Sequence, residues 1–139
     1  MNAPLYTLDI LRLAASLPEP KQLERVDGSA TQRSPTCGSV VETQVQLKDG
    51  QVEALSQTVT ACAFGQASAA LVERGAAGRG SVEVRTALDE LSGWLSGERD
   101  RAPQWPGFDA LAPTRARKSR HGAILLPLRA LVAAIDSAR

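Results

Sequence analysis

The feature that most constrains this chain is a period-2 run that ends on a tight-turn dipeptide. Val41, Thr43, Val45 and Leu47 alternate with Glu42, Gln44, Gln46 and Lys48, the pattern of a strand with one face buried and one wet. Asp49-Gly50 follows at once, and Asp-Gly supplies the positive φ angles of a type I′ turn. The chain is therefore expected to return as a second strand, Gln51 to Thr60, antiparallel to the first. Ala30 to Arg33 is expected to add an edge strand, which makes the antiparallel sheet about three-stranded. A sheet so narrow cannot close on itself and has to be covered by helices, so the fold class is α+β.

This hairpin carries the only two cysteines, Cys37 and Cys62. Each lies about a dozen residues from the turn, which at roughly 3.3 Å per residue is about 40 Å. Both therefore fall at the same end. Pro35 stiffens the approach to Cys37, and Gly38 leaves the backbone beyond it open to a metal or a partner. Cys62 precedes Ala63 to Arg74, an alanine-rich run expected to be helical. A sulfur at a helix N-terminus meets unpaired N–H groups and the positive end of the dipole, which favour thiolate, the form that binds metals and carries sulfur. On the residues alone three fates stand open: two small buried apolar side chains, the commonest fate of free cysteine; a thiolate pair; or a disulfide. No C-x-x-C or other short zinc spacing is present.

Pro35-Thr36-Cys37-Gly38, the strand-turn-strand, and Ala61-Cys62-Ala63-Phe64-Gly65-Gln66-Ala67-Ser68-Ala69-Ala70 together resemble the U-type iron–sulfur cluster assembly scaffolds, the family of IscU, SufU and the NifU N-terminal domain. Ser119-Arg120-His121-Gly122-Ala123, followed by Ala130-Leu131, is similar to the family's third segment. The likeness runs from about Tyr6 to the C-terminus. It implies a SufE/NifU-like fold and a non-enzymatic part in iron–sulfur cluster assembly, as scaffold or carrier. It also implies iron or a cluster bound through Cys37 and Cys62, with a cysteine desulfurase and cluster-acceptor proteins as partners. The family aspartate falls on Ser39, and the third cysteine on Ala123. His121, the only histidine, could lend an imidazole nitrogen to a Cys37–Cys62 metal, with water, Ser39 or a partner's ligand in the fourth position. Cys37, Cys62, Ser39 and His121 are thus the candidate ligands; the other reading of His121 is a solvated or capping side chain. Zinc is an alternative metal, in a sulfur acceptor carrying persulfide on one cysteine. A metal-free interaction module is another alternative. Two chains could also form a homodimer that completes a four-cysteine set from Cys37 and Cys62 of each.

Length and charge bound the rest. At 139 residues the chain is expected to be one domain, 1–139, with one sizeable core. Net charge is +1, from 16 basic and 15 acidic residues, so no global field drives it to nucleic acid or anionic lipid. No leader and no membrane-spanning run is apparent, which points to the cytoplasm, where thiols stay reduced. Thr7 is expected to cap a helix with Ile10, Leu13, Ala14 and Leu17 on one face, stopped by Pro18 and Pro20. Ser81 is expected to cap a helix that buries Val84, Leu88, Leu91 and Leu95, with Trp94 as core and Gly97 as its stop. Glu98 to Pro103 reads as an exposed loop. Trp105-Pro106-Gly107-Phe108 reads as an anchor to the core or a docking site. Arg115, Arg117, Lys118 and Arg120 form a basic run, either a solvated face or a surface that steers an acidic partner. The last helix takes Ile124, Leu125, Leu128, Leu131, Val132 and Ile135 as its apolar face. It is expected to start near Ala123 or Ile124, because Pro127 is harmless only in a first turn. A thiol enzyme using His121 is conceivable, but no catalytic motif supports it.

Overall fold

The computed structural model describes residues 7–35 and 37–138; Tyr6 and Thr36 of the motifs above lie outside them. The elements run α1 (Leu8–Ala15), β1 (Gly28–Arg33), β2 (Val40–Lys48), β3 (Gln51–Thr60), α2 (Ala63–Gly75), α3 (Ser81–Ser96) and α4 (His121–Asp136). Two 3-10 segments, Phe108–Ala116 and Lys118–Arg120, join α3 to α4. The sheet is antiparallel, in the order β1-β2-β3.

The β2–β3 hairpin forms as its pattern predicts. Asp49 and Gly50 both take positive φ, 54° and 78°, and the ladder runs from Lys48 opposite Gln51 to Val40 opposite Thr60. The alternation breaks once. A register shift between Gln46 and Leu47 leaves Glu53 as the extra residue on β3, and such a bulge turns side chains out of phase. Gln46 is consequently buried and Leu47 only half-buried. The Gln46 amide is satisfied at both ends: Nε2 donates to Glu53 Oε1 (2.7 Å) and Oε1 accepts from Arg25 N (3.3 Å).

The edge strand starts at Gly28, two residues earlier than expected, because Asp27-Gly28 enters the sheet rather than turning before it. Asp27 N donates to Val45 O, and the Asp27 carboxylate accepts from Leu47 N (2.7 Å). At Gly28 a Cβ would collide with the Ala134 carbonyl of α4, so only glycine lets strand and helix approach this closely.

α4 is the central helix, packed on β1, β2, α2 and α3. It is buried from Ala123 through Leu128 and again at Ala130, Leu131, Val132, Ala134 and Ile135, more than a single apolar face. It also starts at His121, earlier than Pro127 alone suggests. Pro127 thus sits in the second turn, where it removes the N–H that the Ala123 carbonyl would accept. The adjoining Ile124 carbonyl has an outside partner, the Ser68 hydroxyl of α2 at 2.6 Å. Packing against α2, not local propensity, sets this helix start.

Other local signals hold or shift by one residue. Thr7 Oγ1 accepts from Ile10 N (3.1 Å) and caps α1. At α3 the N-cap is Gly80, not Ser81; Glu83 accepts from Gly80 N (2.8 Å), while Ser81 donates to Asp136 at the end of α4. Gly97 ends α3 at φ 88°, and Trp94 is core. Trp105 and Phe108 are buried, with Trp105 Nε1 donating to Leu71 O (2.8 Å), so this segment anchors the following loop. Arg115 leaves the expected solvated run: Nε donates to Trp94 O and Nη2 to Arg99 O, each at 2.8 Å. The loop after α3 is therefore tied down, and Pro103 within it is buried. Among the described residues no helix is long and apolar enough to cross a membrane.

Gly50→Val is expected to lower stability by about 1–2 kcal/mol, the cost of a β-carbon in the left-handed region. Urea unfolding should show a lower midpoint with an unchanged slope. An unchanged midpoint would mean that the turn does not set the hairpin.

Candidate thiolate site

The β2–β3 ladder ends at Val40 and Thr60, and the two cysteines lie just beyond it on either strand. Cys37 sits in a tight return closed by Ser34 N to Ser39 O (2.9 Å) and Gly38 N to Ser34 O (3.3 Å). Gly38 takes φ 72° there, a conformation that glycine adopts without strain. Cys62 is the N-cap of α2; its carbonyl accepts the helix bond from Gln66 N (2.9 Å), and its side chain makes no capping bond. The sulfur is thus left out of the helix's own bonding.

Both cysteines line one cleft of about 290 Å³, with Gly38, Ser39, Thr60, Ala61 and Arg120. Neither forms a disulfide; Cys37 is exposed and Cys62 half-buried. Around Cys37 the polar groups favour the anion. Hydrogen bonding from the Ser34 hydroxyl, then from Ser39, holds its pKa below the ordinary thiol value, and the Arg120 charge acts in the same direction against partial burial. Ser39 Oγ lies 3.1 Å from Cys37 Sγ. Both serines are buried, so their hydroxyls are held in place rather than exchanging with water.

Arg120, read from the sequence as part of a basic run that is either solvated or steers an acidic partner, lines the cleft itself. Its guanidinium sits 5.6 Å from the centroid of the Phe64 ring, a cation–π distance, and Phe64 is fully buried in the first turn of α2. The available signal was its position: Arg120 is the last residue before α4, whose start faces the start of α2.

Of the four residues singled out as ligands, Cys37, Cys62 and Ser39 line the cleft and His121 does not. His121 opens α4 and its Nε2 lies 2.9 Å from Thr114 O. Ala123 is buried, and a β-carbon at Gly65 would lie 3.5 Å from its Cβ. Among the described residues no three His, Cys, Asp or Glu side chains come together to hold a metal ion. The cleft brings two cysteine sulfurs to one place, half of a four-ligand set, with the Ser39 hydroxyl and the Arg120 guanidinium beside them.

No protein-family model and no curated protein matches the sequence. Solved structures do. The N-terminal part of a NifU-like protein, described as nitrogen-fixing, from Brucella abortus superposes with a TM-score of 0.89 at 32% identity, over 96% of this chain and 94% of that one. A candidate iron–sulfur cluster assembly scaffold protein for the SUF system of Fervidobacterium islandicum AW-1 gives a TM-score of 0.83 at 16% identity, over 94% and 96%. A hypothetical protein gives 0.71 at 21% identity, over 93% and 97%. The last two carry the fold alone.

Because the Cys37 pKa is lowered, its thiolate forms at lower pH than that of an ordinary thiol. The rate of Cys37 alkylation by iodoacetamide, followed on its own peptide by mass spectrometry, should rise through a correspondingly lower midpoint. Ser39→Ala should move that midpoint up and slow alkylation a few-fold at neutral pH. A midpoint that does not move would remove the hydroxyl from the account.

Proposed function

The chain belongs to the family of NifU-like N-terminal domains, and we propose that it takes part in iron–sulfur cluster assembly, as a scaffold or carrier that holds iron or a cluster through Cys37 and Cys62. One observation carries the reading: both cysteines open onto a single cleft. Cys37 is exposed, and its lowered pKa makes the proton easier to give up on ligation. Cys62 presents its sulfur at the mouth of α2 without using it as a cap. The site is open on one side, which suits cargo that must leave again.

Iron and sulfide, or a preformed cluster, are the cargo. A cysteine desulfurase supplies the sulfur and an acceptor protein receives the product. Arg120 and the cations preceding it favour an acidic partner face. Ser39 acts beside Cys37 through its hydrogen bond. His121 contributes by fixing the start of α4 through Thr114. Residues 1–139 act as one domain, in the reducing cytoplasm, with no nucleic acid or membrane involved. A second reading, a metal-free interaction module, is favoured by the same incomplete ligand set.

Protein purified without oxygen should contain iron and acid-labile sulfide, and both should fall at least tenfold in Cys37→Ser and in Cys62→Ser. Wild-type protein without either would transfer the case to the metal-free module.

A further inference from the structure

The second half of β3 borders a groove of about 410 Å³, walled by residues 14–20 at the end of α1 and by Gln66 of α2. It shares no lining residue with the cysteine cleft. Gln57 lines the groove and is 2% exposed, yet its side-chain Oε1 has no hydrogen-bond partner among the described residues. The orientation of that amide is fixed. Its Nε2 donates to Ala69 O (2.9 Å) and to Glu73 Oε1 (3.2 Å), and a flipped amide would set its oxygen against both acceptors. The unpartnered atom is therefore a carbonyl oxygen, which only a donor can satisfy. Thr43 Oγ1, opposite Gln57 on β2, is likewise without a partner, so the strand pair does not satisfy the carbonyl from within.

The rest of the lining has the same bias. Gln66 commits its Nε2 to Ala61 O (3.0 Å), which leaves its Oε1 as an acceptor. Glu19 is the one charged side chain on the groove among the described residues, and no lysine or arginine lines it.

We infer that this groove binds a guanidinium, which donates to Gln57 Oε1 while Glu19 balances its charge. The group fits by its donors. A guanidinium presents five N–H groups in a planar fork and has no acceptor, so it can serve the buried carbonyl, Gln66 and Glu19 together. An ammonium concentrates its donors at one point, and a neutral amide would bring an acceptor of its own against a lining whose donors are committed.

Free arginine and an arginine side chain of a partner protein carry the same group, and the sheet edge tells them apart. β3 is the outer strand on its side of the sheet. Among the described residues, the backbone contacts to that edge are those of Gly78, Arg79 and Gly80 with Gln51 and Val52. Thr58 and Val59, further along, line the groove. Only a ligand with an extended backbone can add to the edge there.

Nitrogen–proton NMR of the full chain tests this with two probes, free arginine and the capped tripeptide acetyl-Ala-Arg-Ala-amide. The expected result is a saturable shift of the Gln57 and Gln66 side-chain amide signals. Tighter binding of the tripeptide, with shifts of the Thr58 and Val59 backbone amides, identifies an arginine of a partner segment; equal binding without those shifts identifies the free cation. Citrulline, the neutral counterpart of arginine, should bind several-fold more weakly. Glu19→Gln should weaken binding several-fold, and Gln57→Leu should abolish it. Ala15→Trp, at an exposed position on the groove wall, should also abolish it and leaves the buried amide in place. No saturable shift with either probe at millimolar concentration would overturn the site. Equal binding of citrulline, or undiminished binding to Ala15→Trp, would overturn it as well.

Discussion

The register of one hairpin is the constraint on which the rest depends. Asp49 and Gly50 at positive φ set which residues of β2 and β3 face each other. A strand pair with that register delivers the chain ends beyond Val40 and Thr60 to one place. The cysteines sit at those ends, so a turn at the far end of a nine-residue strand determines that two residues far apart in sequence share a cleft. The bulge at Gln46 and Leu47 lies near the turn, far from the cysteine end, where the pairing runs unbroken from Val40 to Gln46.

The second determinant is the contact between α2 and α4. Ser68 donates to the Ile124 carbonyl, and Gly65 admits Ala123 against the first turn of α2. These contacts bring the residues before α4 to the cleft, and with them Arg120. Where the resemblance expects a third thiol, this chain has the small side chain of Ala123, buried and filling space. Where it expects a carboxylate, Ser39 bonds to Cys37 instead. Against the ligand set that the resemblance implies, the site lacks two anionic ligands, and the Arg120 cation stands beside its cysteines.

Much of this was legible before any coordinates. Period-2 burial, the Asp-Gly turn, the Thr7 cap and the Gly97 stop are governed by neighbours in sequence, and each appears where its pattern puts it. What escaped depends on distant partners. Gln46 is buried because a bulge rotates it onto Glu53 and the Arg25 backbone. Arg115 is not a surface cation because two carbonyls from other segments capture its guanidinium. α4 extends past the start that Pro127 suggested, since packing with α2 outweighs the local rule. Of the site, the cysteine pair was visible from spacing and resemblance together, and the packing of Arg120 on Phe64 beside the cleft only when α4 met α2.

The central claim is that Cys37 and Cys62 of one cleft are the protein ligands of the cargo. Iron K-edge X-ray absorption on the loaded wild-type chain tests it most directly, because the first shell reports the atoms bound to iron. The account predicts a first shell of sulfur alone, from thiolate and sulfide. Nitrogen from His121 or oxygen from Ser39 in that shell would contradict it.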